Sequence, residues 1–308
     1  MTQSFIALLP VFIVILVGYG LRRSGLIAED HWTAVDHVCY YVLFPAIIFK
    51  EIAAADFSNV PVWSMALAMI LGITTMFGLL LALRRPLIAT MDLNGPQFSS
   101  LFQGATRWHT FIALAIIPIY FGQPALALGG LSAAAMTPLL NIVNVGVISV
   151  YGSGVKMNGR AMALSILKNP FVLSSVGGVV WQLLHLPMPT MGVQVLDMIG
   201  KGALGLALLA VGAGLRIDEA LSTKGPVLLA TFLKLLVMPV FMAVWLWILG
   251  VSGEAAAVAI LCGAVPTGSG AYVLAKHMGG DAPMVASILT LQVICAAVTI
   301  PFVLSLLG

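Results

Sequence analysis

The run Gly263-Ala264-Val265-Pro266-Thr267-Gly268-Ser269-Gly270 lies in the middle of an apolar segment, and its reading decides the fold. Proline lacks the amide that an interior helical turn needs, and the glycines around it leave the backbone free to unwind. Unwound backbone at bilayer depth is tolerated only where it is buried in protein or faces a water-filled cavity. Discontinuous helices of this kind are where secondary transporters bind solutes.

That reading needs a membrane, and composition supplies one. Hydrophobic residues make up 61% of the chain and charged residues 8%, with a mean hydropathy of +1.09; soluble domains carry about 25% charged residues. The formal charge of +3 is too small and too dispersed to attract nucleic acid. Cys39, Cys262 and Cys295 sit in apolar stretches without metal-ligand spacing and read as small buried hydrophobes. Neither a metal nor a cofactor is expected.

A helix crosses the hydrocarbon with about 20 apolar residues. Polar, Gly and Pro punctuation delimits ten such spans, near 5–21, 33–55, 61–83, 98–121, 126–151, 170–186, 190–215, 226–249, 254–276 and 283–306. No room remains for a soluble domain. The first stretch lacks a basic leader and is followed by Arg22 and Arg23, so it reads as a retained span and not a signal peptide.

Positive charge orients the spans. Loops after odd-numbered spans hold Arg22, Arg23, Arg84, Arg85, Lys156, Arg160, Lys168, Arg216, Lys224 and Lys276, whereas the even loops and both termini hold only Lys50. The odd loops are therefore expected in the cytoplasm and both termini outside. The remaining cations, Arg107, Lys201 and Lys234, fall within spans.

An internal repeat sets the architecture. Pro10-Val11-Phe12 corresponds to Pro170-Phe171-Val172, and Gly18 to Gly178, at an offset of 160. Asp36 through Ile48 corresponds to Asp197 through Leu209 at 161, and Pro138 to Pro301 at 163. Each half holds five spans, an odd number, so the second enters the membrane in the opposite sense. The expected fold is an all-α polytopic membrane protein of ten helices in two inverted five-helix repeats, residues 1–155 and 156–308. Aligning Gly122-Gln123-Pro124 with Gly280 to Pro283 sets Pro266 against Arg107 or Trp108. Arg107-Trp108-His109-Thr110 in span 4 is thus the expected partner of Pro266 to Gly270 in span 9, the two crossing near the midplane.

Arg107 lies near the bilayer centre, about 15 Å deep at the helical rise. A central arginine costs roughly 2.5–3.5 kcal/mol on insertion scales, so it should face a cavity or a partner. That partner is an anionic solute or the helix-end carbonyls of the opposing half. His109 adjoins it and, with an unperturbed pKa of about 6.5, is a candidate protonation switch. Asn141 and Asn144 share a face of span 5 and can bond a solute or a helix end. Asp197 and Lys201, one turn apart, form either a packing pair or part of an ion route. Lys234 lies about 12 Å inside span 8, where its stem can carry the ammonium toward the interface.

The run from Gly263 through Ala275, then Gly280-Asp281, Ala286-Ser287 and Thr299-Ile300-Pro301, resembles the C-terminal signature of the auxin efflux carrier family. Shorter matches at Phe44 to Phe49, Pro138 to Asn141, Lys168-Asn169-Pro170 and Leu204 to Leu215 spread the resemblance over nearly the whole chain. The family includes plant auxin exporters and bacterial permeases for malonate and related organic acids. The resemblance implies ten helices in two inverted halves, substrate at the crossing of broken spans 4 and 9, elevator-like alternating access, usually a dimer, and residence in the bacterial inner membrane. Relatives usually carry asparagine where this chain has His109, and plant members carry proline at Trp108.

The chemistry of the expected site favours a small organic anion, a mono- or dicarboxylate. Half-helix N-termini offer free amides and a positive dipole end, and Arg107 adds full charge. Thr110, Thr267 and Ser269 would complete the hydrogen bonds, alongside Pro266, Gly268 and Gly270. Coupling could run through protons at His109 or Asp197 with Lys201, through the membrane potential, or through sodium. A passive channel remains a rival. An intramembrane enzyme lacks a catalytic constellation, since no His-Glu-x-x-His motif occurs and Ser269 has only distant histidines as possible bases.

Overall fold

The computed structural model describes residues 2–55, 61–153, 160, 164, 167–217 and 225–306, and all of the elements among them are helical. Helix α1 covers Thr2–Arg23. Then α2 (Glu29–Val38) runs through a π-helical turn at Cys39–Leu43 into α3 (Phe44–Ala54). Helix α4 covers Val62–Ala82, and a short α5 (Arg84–Met91), absent from the expected spans, fills the loop after it. Span 4 is two helices, α6 (Gly95–Thr106) and α7 (Thr110–Phe121). Helix α8 covers Leu126–Tyr151 and α9 covers Pro170–Leu183. Span 7 is also divided, at a turn over Lys201 and Gly202, into α10 (Thr190–Gly200) and α11 (Ala203–Ala213). Next, α12 (Gly225–Phe232) passes through a second π turn at Leu233–Val237 into α13 (Met238–Ile248). Span 9 is α14 (Gly253–Ala264) and α15 (Gly270–Met278), and α16 (Ala282–Ser305) ends the described chain.

Among the described residues, seven helical runs are long and apolar enough to cross a membrane: Ile6–Arg23, His31–Ala54, Val62–Ala82, Gln123–Tyr151, Thr190–Ala213, Gly225–Ile248 and Ala282–Ser305. The other three expected spans are the fourteen-residue α9 and the broken pairs α6–α7 and α14–α15.

Both π turns have one cause. Pro45 and Pro239 each sit two residues beyond a π turn, where they cannot donate to the carbonyl four residues back and would clash with it. The helix widens just upstream, and Phe44 and Met238 donate to Cys39 and Leu233, five residues back.

Close backbone approach organises the packing. Helix α1 lies along α11, and α9 lies along α3. A Cβ on Gly18 would overlap the backbone oxygen of Leu209, and one on Gly178 would come within 3.1 Å of the Phe49 oxygen. Phe49 and Leu209 differ by 160 in number, as do Gly18 and Gly178. Small residues at such crossings let helices in lipid gain dispersion contact without a hydrophobic drive between them. A second group packs α4 against α13, tied by Trp245 Nε1 donating to Thr75 Oγ1 at 2.9 Å. Around it, α6, α8, α12, α14 and α16 enclose a core that includes Phe77, Phe98, Phe102, Ile288 and Leu261.

Two sequence expectations are corrected here. Asp197 does not pair with Lys201, which is exposed; its Oδ1 bonds the Nζ of Lys50 at 2.6 Å. Lys201 keeps the one-turn backbone bond to the Asp197 carbonyl at 2.9 Å, but the carboxylate is claimed by Lys50 from the neighbouring α3. Nor does Lys234 reach for the interface. It is 0% exposed, because its π turn aims it into the helix packing.

Candidate functional site

The two broken helices stop for different reasons. In span 9, Pro266 lacks an amide and forces the residue before it into extended backbone, so α14 ends and Val265 takes φ −69°, ψ 152°. In span 4 nothing local breaks the helix, yet Arg107 takes nearly the same conformation, φ −68°, ψ 160°. Arg107 and Val265 are related by an offset of 158.

What holds the span 4 break is tertiary. The Gly104 carbonyl, in the last turn of α6, accepts from Gln292 Nε2 and from Thr267 Oγ1, each at 2.7 Å. Gln292 Oε1 in turn accepts from the Thr267 amide at 2.7 Å, and its Nε2 also reaches the Ala230 carbonyl at 3.3 Å. Both side chains are 0% exposed. The backbones meet at Gly268, where a Cβ would stand 2.8 Å from the Trp108 oxygen. Residues 107–109 and 265–269 therefore touch, as expected for a crossing.

Beside the crossing lies a cavity of about 520 Å³, a size typical of small-molecule sites. Arg107, His109, Thr110, Asn141, Gly268, Ser269 and Gly270 line it. Arg107 Nη2 donates to Asn141 Oδ1 at 3.0 Å, while its Nη1 is enclosed and has no hydrogen-bond partner among the described residues. His109 is buried, its ring 6.0 Å from that of Phe111.

Helices α7 and α15 both start at this cavity, and neither start is capped. His109 and Ser269 make no side-chain hydrogen bond to first-turn amides. By contrast, α6 has a capping box between Asn94 and Gln97, α9 is capped by Asn169, and α16 by Asp281. At α15 the Ala271 and Tyr272 amides donate to the Gly268 and Ser269 carbonyls at 3.0 Å, so it is the start of α7 that leaves first-turn amides, with a positive dipole end, at the cavity.

Five expected site residues lie elsewhere. Thr267 spends its donors on the crossing, Pro266 is buried behind it, and neither lines the cavity. Asn144 is 0% exposed, accepting from Thr106 Oγ1 at 3.1 Å and donating to the Leu140 carbonyl at 2.7 Å. Asp197 and Lys201 stand apart from the cavity.

Conversely, α2 and its π turn supply lining residues that sequence reading passed over: Thr33, Asp36, His37, Tyr40 and Tyr41. Their spacing is a polar stripe at i, i+3, i+4, i+7 and i+8, the signature of one helix face. Thr33, His37 and His277 are exposed at the cavity rim, close in sequence to Arg23 and Lys276. At the opposite ends of the helices, Lys50 links Glu51 (3.0 Å) to Asp197, and Gln123 Nε2 donates to Glu51 Oε1 at 3.1 Å.

The model of the family described as membrane transport protein matches residues 3–94 and 153–304. An uncharacterised transporter of Methanothermobacter thermautotrophicus is 24% identical, covering 95% of each chain. The uncharacterised transporter YfdV of Escherichia coli K12 is 22% identical over 92% of each chain. Auxin efflux carrier component 3 of Arabidopsis thaliana is 30% identical over 36% of this chain and 18% of its own length. The matched family segments flank residues 95–152, which hold α6, α7, α8 and with them Arg107 and His109.

Proposed function

The chain belongs to the membrane transport protein family, that of the auxin efflux carriers, and from that premise we propose that it carries a small organic anion, a mono- or dicarboxylate, through the site at the crossing of spans 4 and 9. The observation that carries this reading is the guanidinium of Arg107. Nη2 is fixed by Asn141 and Nη1 is enclosed without a partner among the described residues, at a cavity that the uncapped start of α7 also faces. A half-buried, half-satisfied cation is costly, and a carboxylate accepting from Nη1 and from the first-turn amides of α7 would complete it.

The wider reading is ten crossings in two inverted five-helix halves. Its support is the reciprocal packing of α1 on α11 and of α9 on α3, the Gly18–Leu209 and Gly178–Phe49 contacts at one offset, and the matching backbone of Arg107 and Val265. Spans 1, 2, 6 and 7 would then form a scaffold, and the rest a core that shifts the site across the membrane. With cation-rich loops inside, the cavity faces the cytoplasm of a bacterial inner membrane. The Glu51–Gln123 and Lys50–Asp197 bonds then close the outer side.

A thermal-shift screen of the purified protein against mono- and dicarboxylates tests the reading. Stabilisation by at least one acid, competed by a second of the same class, is the expected result; indifference to every acid, with no uptake in proteoliposomes, would refute it.

A further inference from the structure

Lys234 takes no part in the cavity, yet it is the most enclosed cation of the described chain, at 0% exposure. It sits in the π turn Leu233–Val237, and such turns recur at functional sites. Its Nζ donates to the Gly263 carbonyl at 2.7 Å. Among the described residues no carboxylate pairs with it. Gly263 belongs to the last turn of α14, so the ammonium rests on the negative dipole end of a half-helix that stops at the crossing.

The other half-helix is treated alike. The last-turn carbonyl of α6, at Gly104, is held by Gln292 and Thr267. Gly104 lies three residues before Arg107 and Gly263 two before Val265, so both carbonyls belong to the last turns of the two broken spans, one position out of register. In secondary transporters the C-terminal ends of discontinuous helices and their freed carbonyls are where a coupling cation is coordinated. Here both ends are taken by donors of the protein itself: an amide and a hydroxyl at one, an ammonium at the other.

We propose that Lys234 is a tethered replacement for a coupling cation, and that this carrier works without sodium. The inference rests on the carrier reading above and names its coupling. A mobile cation would neutralise the end of α14 only when bound; Lys234 neutralises it throughout and travels with α14. Its role is positioning: it keeps α14 in register with the crossing and adds a fixed positive charge behind the anion site. Removing the charge should leave the cavity able to bind but impair the step that moves it, because an uncompensated helix end must then be carried through the membrane interior.

The test uses the full-length protein in proteoliposomes, with an acid that stabilises it, and sodium, potassium or choline as the external cation. Wild-type uptake should agree within about twofold in all three media, and Lys234→Gln, which keeps a donor for Gly263 but no charge, should fall about tenfold or more in each while the acid still stabilises it. Lys234→Met should behave the same way. Retained stabilisation with lost uptake is a split that general loosening of the fold would not produce. A tenfold fall of wild-type uptake on removing sodium overturns the proposal, as does Lys234→Gln uptake at the wild-type rate. If neither variant folds, the wild-type cation series decides alone. A wild type that moves no organic anion in any medium refutes the transport reading itself, and this inference with it.

Discussion

Arg107 Nη2 bonds Asn141 Oδ1 at 3.0 Å, which joins the break of span 4 to the middle of span 5 and fixes the direction of the unpaired Nη1. Substituting Asn141→Asp would put a permanent carboxylate on that guanidinium. It should act as a built-in competitor and weaken anion binding by about tenfold or more, the effect of a desolvated charge pair. Asn141→Ala should weaken it less. Titration of the thermal shift with the stabilising acid measures both.

His109 is buried at the start of α7 and lines the cavity. Histidine and asparagine differ in shape and donor pattern. His109→Asn should therefore preserve folding but alter which acids stabilise the protein best. An unchanged ranking across the acid panel would remove His109 from the site.

Gln292 satisfies the Thr267 amide and the carbonyls of Gly104 and Ala230 from a fully buried position. Gln292→Ala strands the Thr267 amide, since the Gly104 carbonyl keeps Thr267 Oγ1, and opens a cavity. It should cost about 2–4 kcal/mol, of which about 1–3 kcal/mol is the stranded amide and the rest the cavity, visible as a drop of roughly 5–10 °C in the melting temperature of the solubilised protein.

How much of this was legible in the sequence follows from where each cause lies. Pro266 breaks span 9 by its own chemistry, so the residues alone disclose it. Span 4 contains no breaker, and its crossing partner emerged only by analogy through the repeat; the groups that hold it open, Gln292 and Thr267, come from far along the chain. Asn144 and Thr267 were open to a solute, whereas the Gly104 carbonyl at the end of α6 claims Thr267, and the Thr106 hydroxyl and the Leu140 carbonyl of its own helix claim Asn144. The stripe from Thr33 to Tyr41 was readable as a helix face, but only the fold turns that face toward Arg107. Lys50 and Asp197 lie on separate spans, and no local spacing pairs them.

The contact between α1 and α11 makes a sharper stability test. Gly18→Val would drive a side chain into the Leu209 backbone and should destabilise by more than about 2 kcal/mol, as overpacking does. Gly20→Ala, two residues away with open space around it, should be neutral or slightly stabilising. Equal melting temperatures for the two variants would contradict the packing described.

The central claim is that Arg107 binds the transported anion. Its most direct test is uptake of a labelled, stabilising acid into proteoliposomes by wild type and Arg107→Ala at matched protein content. Loss of one desolvated charge partner corresponds to a fall of about a hundredfold or more, with the variant still eluting as a folded protein. Uptake by Arg107→Ala at the wild-type rate and affinity would contradict the account.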